Sequence, residues 1–426
     1  MYKHFLLIFM AFFFVSCATQ EPKVLKPNEK AFADEDTYIL FALRAEQVKE
    51  NRTASELFGV LYDKSDKKEY LYRSLENDLI AKENEKLIKR VNELSKNDIY
   101  DPVLVRLKVV ALFELNRLDE AKTLSVELAH KTQLPTDYLL TSDIYIKRQE
   151  YDLAVRYLES AYAKENNEKI LDKMSIVLYV NLGRKTEAIA HLETHSRMLG
   201  CSEVVCTRLI GFYSNDNNIE GLLSTYLRLY ELNKKPEVSS KIIQIYSYKR
   251  DYIHLTEFLE DSGSDDEVLL QLYSSAKNYE KAYPLADKLY EETSDINYLG
   301  QSAIFEYENA KDKSEKSLLT SVVTKLEKVT KQDNQAIYFN YLGYILIDHD
   351  LDIKRGMTYI DLVLKEQPNS AFYLDSKAWG YYKLGKCKKA KELMDRVVNL
   401  DGGDDEEVLF HVKEIETCIK INKGKK

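Results

Sequence analysis

The fold is decided by the segment from Ala371 to Gly402, whose sequence is AFYLDSKAWGYYKLGKCKKAKELMDRVVNLDG. Apolar and small side chains recur in it three or four residues apart, on both sides of Gly385. They are Leu374, Ala378, Tyr381, Ala390, Met394 and Val397. This spacing is the period of an amphipathic α-helix, and a glycine readily ends such a run. The segment therefore predicts two helices joined by a tight turn.

The preceding segment, from Ala336 to Pro368, has the same organisation. Its helical spacing is interrupted between Asp348 and Asp352, and Pro368 stands where the second helix must end, because proline cannot continue a helix. Small residues occupy the places where two helices must approach closely, namely Gly343, Gly356, Ala378 and Ala390. A single hairpin cannot bury both of its apolar faces, so the pattern predicts a stack of hairpins.

Both segments resemble the tetratricopeptide repeat (TPR), a helical hairpin of about 34 residues. The run from Tyr373 to Tyr382, YLDSKAWGYY, is especially similar to a C-terminal repeat of bacterial TPR lipoproteins. Gly356 departs from the family pattern, which usually has Ala there, and the turn of the first segment is one residue longer. The resemblance implies an all-α, right-handed α-solenoid.

The same spacing extends toward the N-terminus. One small or apolar residue of each expected second helix recurs at nearly constant intervals of about 34 residues, except for a shorter last interval. These anchors are Ala54, Leu87, Ala121, Ala154, Ala188, Gly221, Leu255 and Ala282. Pro102, Pro135, Pro236 and Pro368 fall at the junctions between repeats. The sequence therefore predicts about eleven TPR-like helical hairpins.

The repeat pattern is weakest between Glu292 and Asp333, where a charged insertion runs from Lys311 to Lys316. The insertion is either a lengthened turn or a joint between two arrays. We place the boundary there and predict an N-terminal TPR-like array at 35–310 and C-terminal TPR repeats at 311–403. Residues 404–426 are expected to form a capping helix and a basic tail, since a terminal repeat needs a cover. The apolar face of this helix consists of Val408, Val412, Ile415 and Ile419.

The N-terminus contains an apolar run from Phe5 to Val15, too short for a membrane-spanning helix, which needs about 20 residues. The following Val-Ser-Cys-Ala resembles a bacterial lipobox, although Phe14 replaces the usual Leu. The resemblance implies a lipoprotein signal peptide at 1–16 and acyl chains such as palmitate on Cys17. An ordinary secretory signal is the alternative. Residues 17–34 are polar and predict a lipid-anchored flexible linker. Ala18 favours, again by resemblance, the outer membrane with the protein facing the periplasm.

The charge of the chain disfavours nucleic acid as a partner. Its formal net charge is −9, and removal of residues 1–16 with Lys3 makes it −10. An acidic surface repels a phosphate backbone. The sequence also lacks the glycine-rich phosphate-binding motifs and the G-x-S-x-G motif of hydrolases. We therefore expect no nucleotide, no cofactor and no catalytic residue.

Four cysteines follow Cys17 in a compartment that permits disulfides. Cys387 and Cys418 lie at nearly equal distances along the chain on either side of a turn near Gly402, so antiparallel helices would bring them together. We predict a disulfide there. Cys201 and Cys206 flank a helix start, where a bridge and a plain apolar contact fit equally well.

Metal binding is not expected. His191 and His195 are four residues apart, but they lack the H-E-x-x-H arrangement and a third ligand. Asp348, Asp350 and Asp352 alternate as in an EF-hand, but that loop needs a Gly and a Glu where this chain has Ile353 and Tyr359. A solvated turn is the better interpretation of the three aspartates.

The TPR resemblance implies a concave groove that is lined by positions 2, 5, 9 and 12 of each first helix. In the last two hairpins these positions are Ile337, Asn340, Tyr344, Ile347, Phe372, Asp375, Trp379 and Tyr382. The aromatic content is typical of a binding hot spot for a protein or peptide ligand. The alternative, held equally, is that these aromatics are core beneath the capping helix. Asp375 would repel a C-terminal carboxylate, which disfavours a chaperone tail as the ligand.

These observations predict a non-catalytic protein–protein interaction scaffold that supports assembly of an envelope complex for secretion, pilus, flagellar or polysaccharide-export function. The alternative is an accessory or regulatory lipoprotein that docks a cell-wall enzyme. Both functions would use the same groove, and the membrane would be reached through the N-terminal lipid.

Overall fold

The described residues of the chain, 30–97 and 100–424 of this computed structural model, form 23 α-helices and no strand. The helices are α1 Glu35–Gln47, α2 Asn51–Ser65, α3 Lys68–Ile80, α4 Asn84–Leu94, α5 Pro102–Glu114, α6 Leu118–Thr132, α7 Pro135–Lys147, α8 Tyr151–Glu165, α9 Glu168–Ile176, α10 Lys185–Leu199, α11 Glu203–Asn215, α12 Ile219–Asn233, α13 Pro236–Lys249, α14 Tyr252–Ser262, α15 Asp266–Ser275, α16 Tyr279–Thr293, α17 Ile296–Asn309, α18 Lys316–Val329, α19 Ala336–Asp348, α20 Ile353–Glu366, α21 Ala371–Lys383, α22 Cys387–Val397 and α23 Glu406–Gly424.

Consecutive helices pack as eleven hairpins, from α1 with α2 to α21 with α22, and α23 follows the last of them. This arrangement confirms the predicted all-α solenoid of about eleven hairpins with a C-terminal helix. All eight anchors lie in second helices, and seven of them are at most 1% exposed. The shorter interval between Leu255 and Ala282 has a simple cause, since α14 and α15 have only 11 and 10 residues.

The turns inside the hairpins share one backbone conformation. Ten of the eleven described turns contain a residue with φ between 52° and 70°. It is a glycine only at Gly183 and Gly385. The exception is the loop between α17 and α18, which contains the charged insertion. A left-handed residue reverses the chain within a few residues, so each second helix folds back onto its first.

Close helix contacts explain the small residues of the penultimate hairpin. A Cβ atom on Gly356 would lie 2.6 Å from the backbone oxygen of Gly343, and one on Gly343 would lie 2.7 Å from Cδ1 of Ile360. No larger side chain fits between α19 and α20 at this point. The predicted close approach at Gly343 and Gly356 is confirmed.

The chain divides into two compact units, one that ends at Leu232 and one that begins at Asn233. The predicted boundary between residues 310 and 311 falls inside the second unit, in the loop that joins α17 to α18. That boundary stays a prediction. Among residues 30–97 and 100–424, no helix is both long and apolar enough to cross a bilayer. Cys17, the signal peptide and residues 17–29 of the linker lie outside the described residues.

Candidate functional site

Five rings meet on three helices of the second unit and form what we name the C-terminal aromatic cluster. It consists of Tyr344 on α19, Trp379 and Tyr382 on α21, and Phe410 and His411 on α23. The ring of Trp379 stacks on Tyr382 with 4.5 Å between centroids and on His411 with 4.0 Å. Its centroid also lies 6.1 Å from that of Phe410. The cluster thus joins three predicted groove residues to two residues of α23.

Trp379 has a fixed position in this cluster. Its indole Nε1 donates a hydrogen bond of 2.7 Å to the Asp348 carboxylate at the end of α19, and only 5% of the residue is exposed. Lys383 donates to the backbone oxygen of Asp348 and lies 3.0 Å from the carboxylate of Asp350. The turn from Asp348 to Asp352 therefore does more than the predicted solvated turn would, because it holds α21 in place.

Asp375 is covered by α23. The Nδ1 atom of His411 lies 3.0 Å from each carboxylate oxygen of Asp375, and both residues are buried. For Asp375 and Trp379 the structure therefore matches the second sequence interpretation, in which these residues are core beneath the capping helix. Ile347 is also fully buried. None of these three residues offers a surface to a ligand.

The two tyrosines of the cluster donate hydrogen bonds to α23. The hydroxyl of Tyr344 donates to the Glu407 carboxylate, and burial, followed by the nearby Glu407 charge, raises the pKa of Tyr344. The hydroxyl of Tyr382 donates to Glu414 over 3.3 Å. Tyr382 and Glu414 are 32 residues apart, which is close to one repeat length. α23 thus stands where the first helix of a further hairpin would stand.

Sequence reasoning missed the contribution of α23 to the groove face. Glu407, Phe410, His411 and Glu414 all contact predicted groove residues or their neighbours. Continuing the repeat spacing past Trp379 and Tyr382 would have pointed to them. The sequence predicted the apolar face of this helix and left open that the aromatics lie beneath it, but it assigned a groove contact to none of these four residues.

Three apolar groove-side residues stay open to solvent. Ile337 is 47% exposed, Phe372 is 55% exposed and Phe410 is 54% exposed. Beside Tyr344 on α19, the side-chain oxygen of Asn340 is buried and has no hydrogen-bond partner among the described residues. A buried acceptor without a partner is costly, and because this atom is shielded from solvent it is not a contact for a ligand. The exposed residues of this surface therefore offer apolar contact.

The cysteines pair as the sequence allowed. The structure links Cys387 of α22 to Cys418 of α23, with 6.0 Å between their Cα atoms. It also links Cys201 to Cys206, with 5.5 Å between Cα atoms. Ser202 is the N-cap of α11 and accepts from the backbone N–H of Val205. The first pair joins the capping helix covalently to the last hairpin.

The two histidines of α10 lie in different surroundings. His191 is grouped with Glu159 and Glu187, whose ligand atoms lie within 4.8 Å of one another and of the ring. Arg184 holds both oxygens of Glu187 over 2.8 and 2.5 Å, so a cation would have to compete with it. His195 is buried, with Nδ1 2.6 Å from the hydroxyl of Tyr162. The histidine pair therefore does not form a joint clasp.

No protein-family model matches the chain, and no curated protein matches it. Several solved structures are similar. One is the structure of Naa15/Naa10 bound to HypK-THB, with 11% identity, a TM-score of 0.32, and coverage of 88% of this chain and 65% of that chain. Another is the crystal structure of the APC/C hetero-tetramer Cut9-Hcn1, with 9% identity and a TM-score of 0.36. The match covers 90% of this chain and 97% of that chain. A third is a tetratricopeptide repeat protein from Parabacteroides merdae ATCC 43184, with 14% identity and a TM-score of 0.29. The match covers 66% of this chain and 98% of that chain. No functional argument follows from similarity at this level.

Proposed function

We propose that this chain is a non-catalytic interaction scaffold that binds a segment of a partner protein on the exposed side of the C-terminal aromatic cluster. The observation that carries the proposal is Phe410, which is 54% exposed although its ring lies 6.1 Å from that of the fixed Trp379. An exposed aromatic ring on a rigid base loses little conformational freedom on binding, which is the character of a hot spot.

The chemistry of the surface defines the ligand class. Phe372 and Ile337 add apolar area. Glu407 and Glu414, whose described hydrogen bonds come from tyrosine hydroxyls, supply negative charge beside the rings. Such a surface favours a segment that combines apolar and basic side chains.

The test uses neighbouring residues of one helix. Phe410→Ala removes the exposed ring, while Leu409→Ala removes an apolar side chain that is 52% exposed and outside the cluster. Affinity purification of the full chain from detergent-solubilised envelopes should recover a partner with the wild type and with Leu409→Ala, and should lose it with Phe410→Ala. Recovery of the same proteins with all three chains, at unchanged helical circular dichroism, would place the binding surface elsewhere.

The cellular setting of this scaffold is the bacterial envelope, with the chain anchored through Cys17 to the outer membrane and facing the periplasm. The lipobox-like sequence around Cys17 supports this part of the proposal. Labelling with radioactive palmitate should mark the wild type and leave Cys17→Ser unlabelled and released from the membrane fraction. Labelling of Cys17→Ser, or a soluble wild type, contradicts the anchor.

The recovered partner also decides between two roles. A channel or motor subunit of a secretion, pilus, flagellar or polysaccharide-export machine supports assembly of an envelope complex. A peptidoglycan synthase or hydrolase whose activity changes on binding supports the accessory role. Both roles use the same surface. Comparison of Phe410→Ala with Leu409→Ala therefore tests the binding surface for either role.

A further inference from the structure

The first helix of the array has an apolar face that no described residue covers. Leu40 and Phe41 of α1 are 66% and 58% exposed, and Val48 at its end is 47% exposed. α1 packs on α2, and its buried residues include Ala42 and Ala45. Large apolar side chains grouped on one face of a helix indicate an interaction surface.

In the following repeat, the equivalent face of α3 contacts the hairpin before it. α1 and α3 each have 13 residues, so Leu40, Phe41 and Arg44 occupy the same places as Arg73, Ser74 and Asn77. All three residues of α3 contact the preceding hairpin. Arg73 and Asn77 bind Glu46 of α1 over 2.6 Å, and the hydroxyl of Ser74 donates to the backbone oxygen of Ser55 in α2 over 2.7 Å.

The next two repeats agree. α5 and α7 also have 13 residues, and their seventh residues are Lys108 and Thr141. Lys108 donates to Asn92 of α4 over 2.6 Å, and Thr141 donates to the backbone oxygen of Ser125 in α6 over 3.0 Å. The seventh residue of a first helix thus contacts the hairpin before it. In α1 the seventh residue is Phe41, with no described hairpin before it.

We infer that the exposed face of α1 binds the same face of a second copy of this chain, with the two α1 helices antiparallel. Asp36 and Arg44 lie four residues on either side of Leu40 on this face. Antiparallel pairing about Leu40 brings Arg44 of each copy opposite Asp36 of the other, whereas parallel pairing would oppose like charges. The contact is isologous, so it closes as a dimer.

The present partners of these charges do not prevent the pairing. Asp36 bonds Lys30, and both side chains are more than half exposed. Arg44 donates to Gln47 over 2.7 Å at the surface. Exposed pairs of this kind are weak and exchange readily. The apolar pair of Leu40 and Phe41 would fill the centre of the interface, with the charges at its rim.

Sedimentation equilibrium of the full chain, in one detergent buffer for every variant, tests the inference. The wild type should dimerise, and Leu40→Asp with Phe41→Asp should raise the dimer dissociation constant at least tenfold. The matched control is Tyr248→Asp with Ile253→Asp, which changes residues that are 77% and 74% exposed in the second unit. This control should dimerise as the wild type does.

A charge exchange tests the orientation. Arg44→Asp and Asp36→Arg should each weaken the dimer, and the two substitutions in one chain should restore it. A monomeric wild type overturns the inference, as does a dimer that the Leu40 and Phe41 substitutions leave intact or that the charge exchange fails to restore. Partner binding through Phe410 would be unchanged by these α1 variants, so the two proposals fail separately.

Discussion

Asp137 shows how single residues hold adjacent hairpins together in the first unit. Its carboxylate is fully buried at the start of α7. It accepts hydrogen bonds from Nε of Arg106 over 2.5 Å and from Nη2 of the same side chain over 2.8 Å. The hydroxyl of Thr132 adds a third bond of 2.6 Å. Arg106 belongs to the preceding hairpin, so this fork bond crosses from one repeat to the next. A planar guanidinium suits such a site better than an ammonium group does.

Replacing Arg106 should be costly because it leaves a buried carboxylate without its cation. We expect Arg106→Met to lower the free energy of unfolding by about 3–5 kcal/mol. Urea unfolding followed by circular dichroism measures the change. Lys131→Ala, which removes an exposed i,i+4 partner of Glu127 and a cation over the Tyr100 ring, should cost much less. Equal effects of the two substitutions would contradict the role given to burial.

At the scale of helices, the sequence predicted the repeat and missed its irregularities. The anchors from Ala54 to Ala282 lie in second helices because stacking requires a small or apolar residue wherever two helices meet. Pro284 could not be placed this way, since it lies inside α16 although proline usually ends a helix. Ala282, Ala286 and Leu289 of the same helix are buried, and burial of such an apolar face compensates for a lost hydrogen bond. Such compensation depends on tertiary contacts that no local pattern contains.

Two glycines of helix interiors should respond to alanine with opposite signs. Alanine normally stabilises an exposed helix interior by about 1 kcal/mol relative to glycine. Gly211 in α11 has, among the described residues, open space where a Cβ atom would lie, so Gly211→Ala should show this gain. At Gly356 the methyl group would meet the backbone of Gly343 at 2.6 Å, so Gly356→Ala should cost about 1–3 kcal/mol instead. Thermal and urea unfolding of both variants give the signs, and a gain at Gly356 would refute the close contact of α19 and α20.

For the whole molecule, the sequence predicted α23 as a cover for the last hairpin but not which of its polar and aromatic side chains meet the groove residues. The apolar face of this helix was clear from Val408 and Ile415, which are buried as expected. That face does not specify which other side chains of α23 meet the groove. His411 on Asp375 and Glu407 on Tyr344 depend on how the helix is rotated and where it crosses α21. The sequence therefore pointed to Trp379, which is buried, whereas Phe410 is the exposed aromatic residue of the cluster.

The link between Cys387 and Cys418 should stabilise α23 over the cluster. It closes a loop with a sequence separation of 31 residues, for which chain entropy gives about 3–4 kcal/mol. Trp379 is the only tryptophan, so its fluorescence reports on the cover that α23 provides. The double variant Cys387→Ser with Cys418→Ser should shift its emission to longer wavelength at a lower urea concentration than the wild type.

The pair Cys201 and Cys206 provides the control for that experiment, since it lies in the first unit. Cys201→Ser with Cys206→Ser should leave the tryptophan transition where it is. A transition that moves equally in both double variants, or in neither, would contradict a local role of the C-terminal link.

The loop between α17 and α18 is suited to protein engineering. It alone among the described hairpin turns lacks a left-handed residue, and most of residues 310–315 are exposed. Its two flanking helices pack on each other without a tight reversal of the chain. Lengthening a flexible loop costs only about 0.6 kcal/mol for each doubling of its length. An epitope or fluorescent peptide inserted after Lys311 would therefore be displayed at the surface while the hairpins on either side keep their packing.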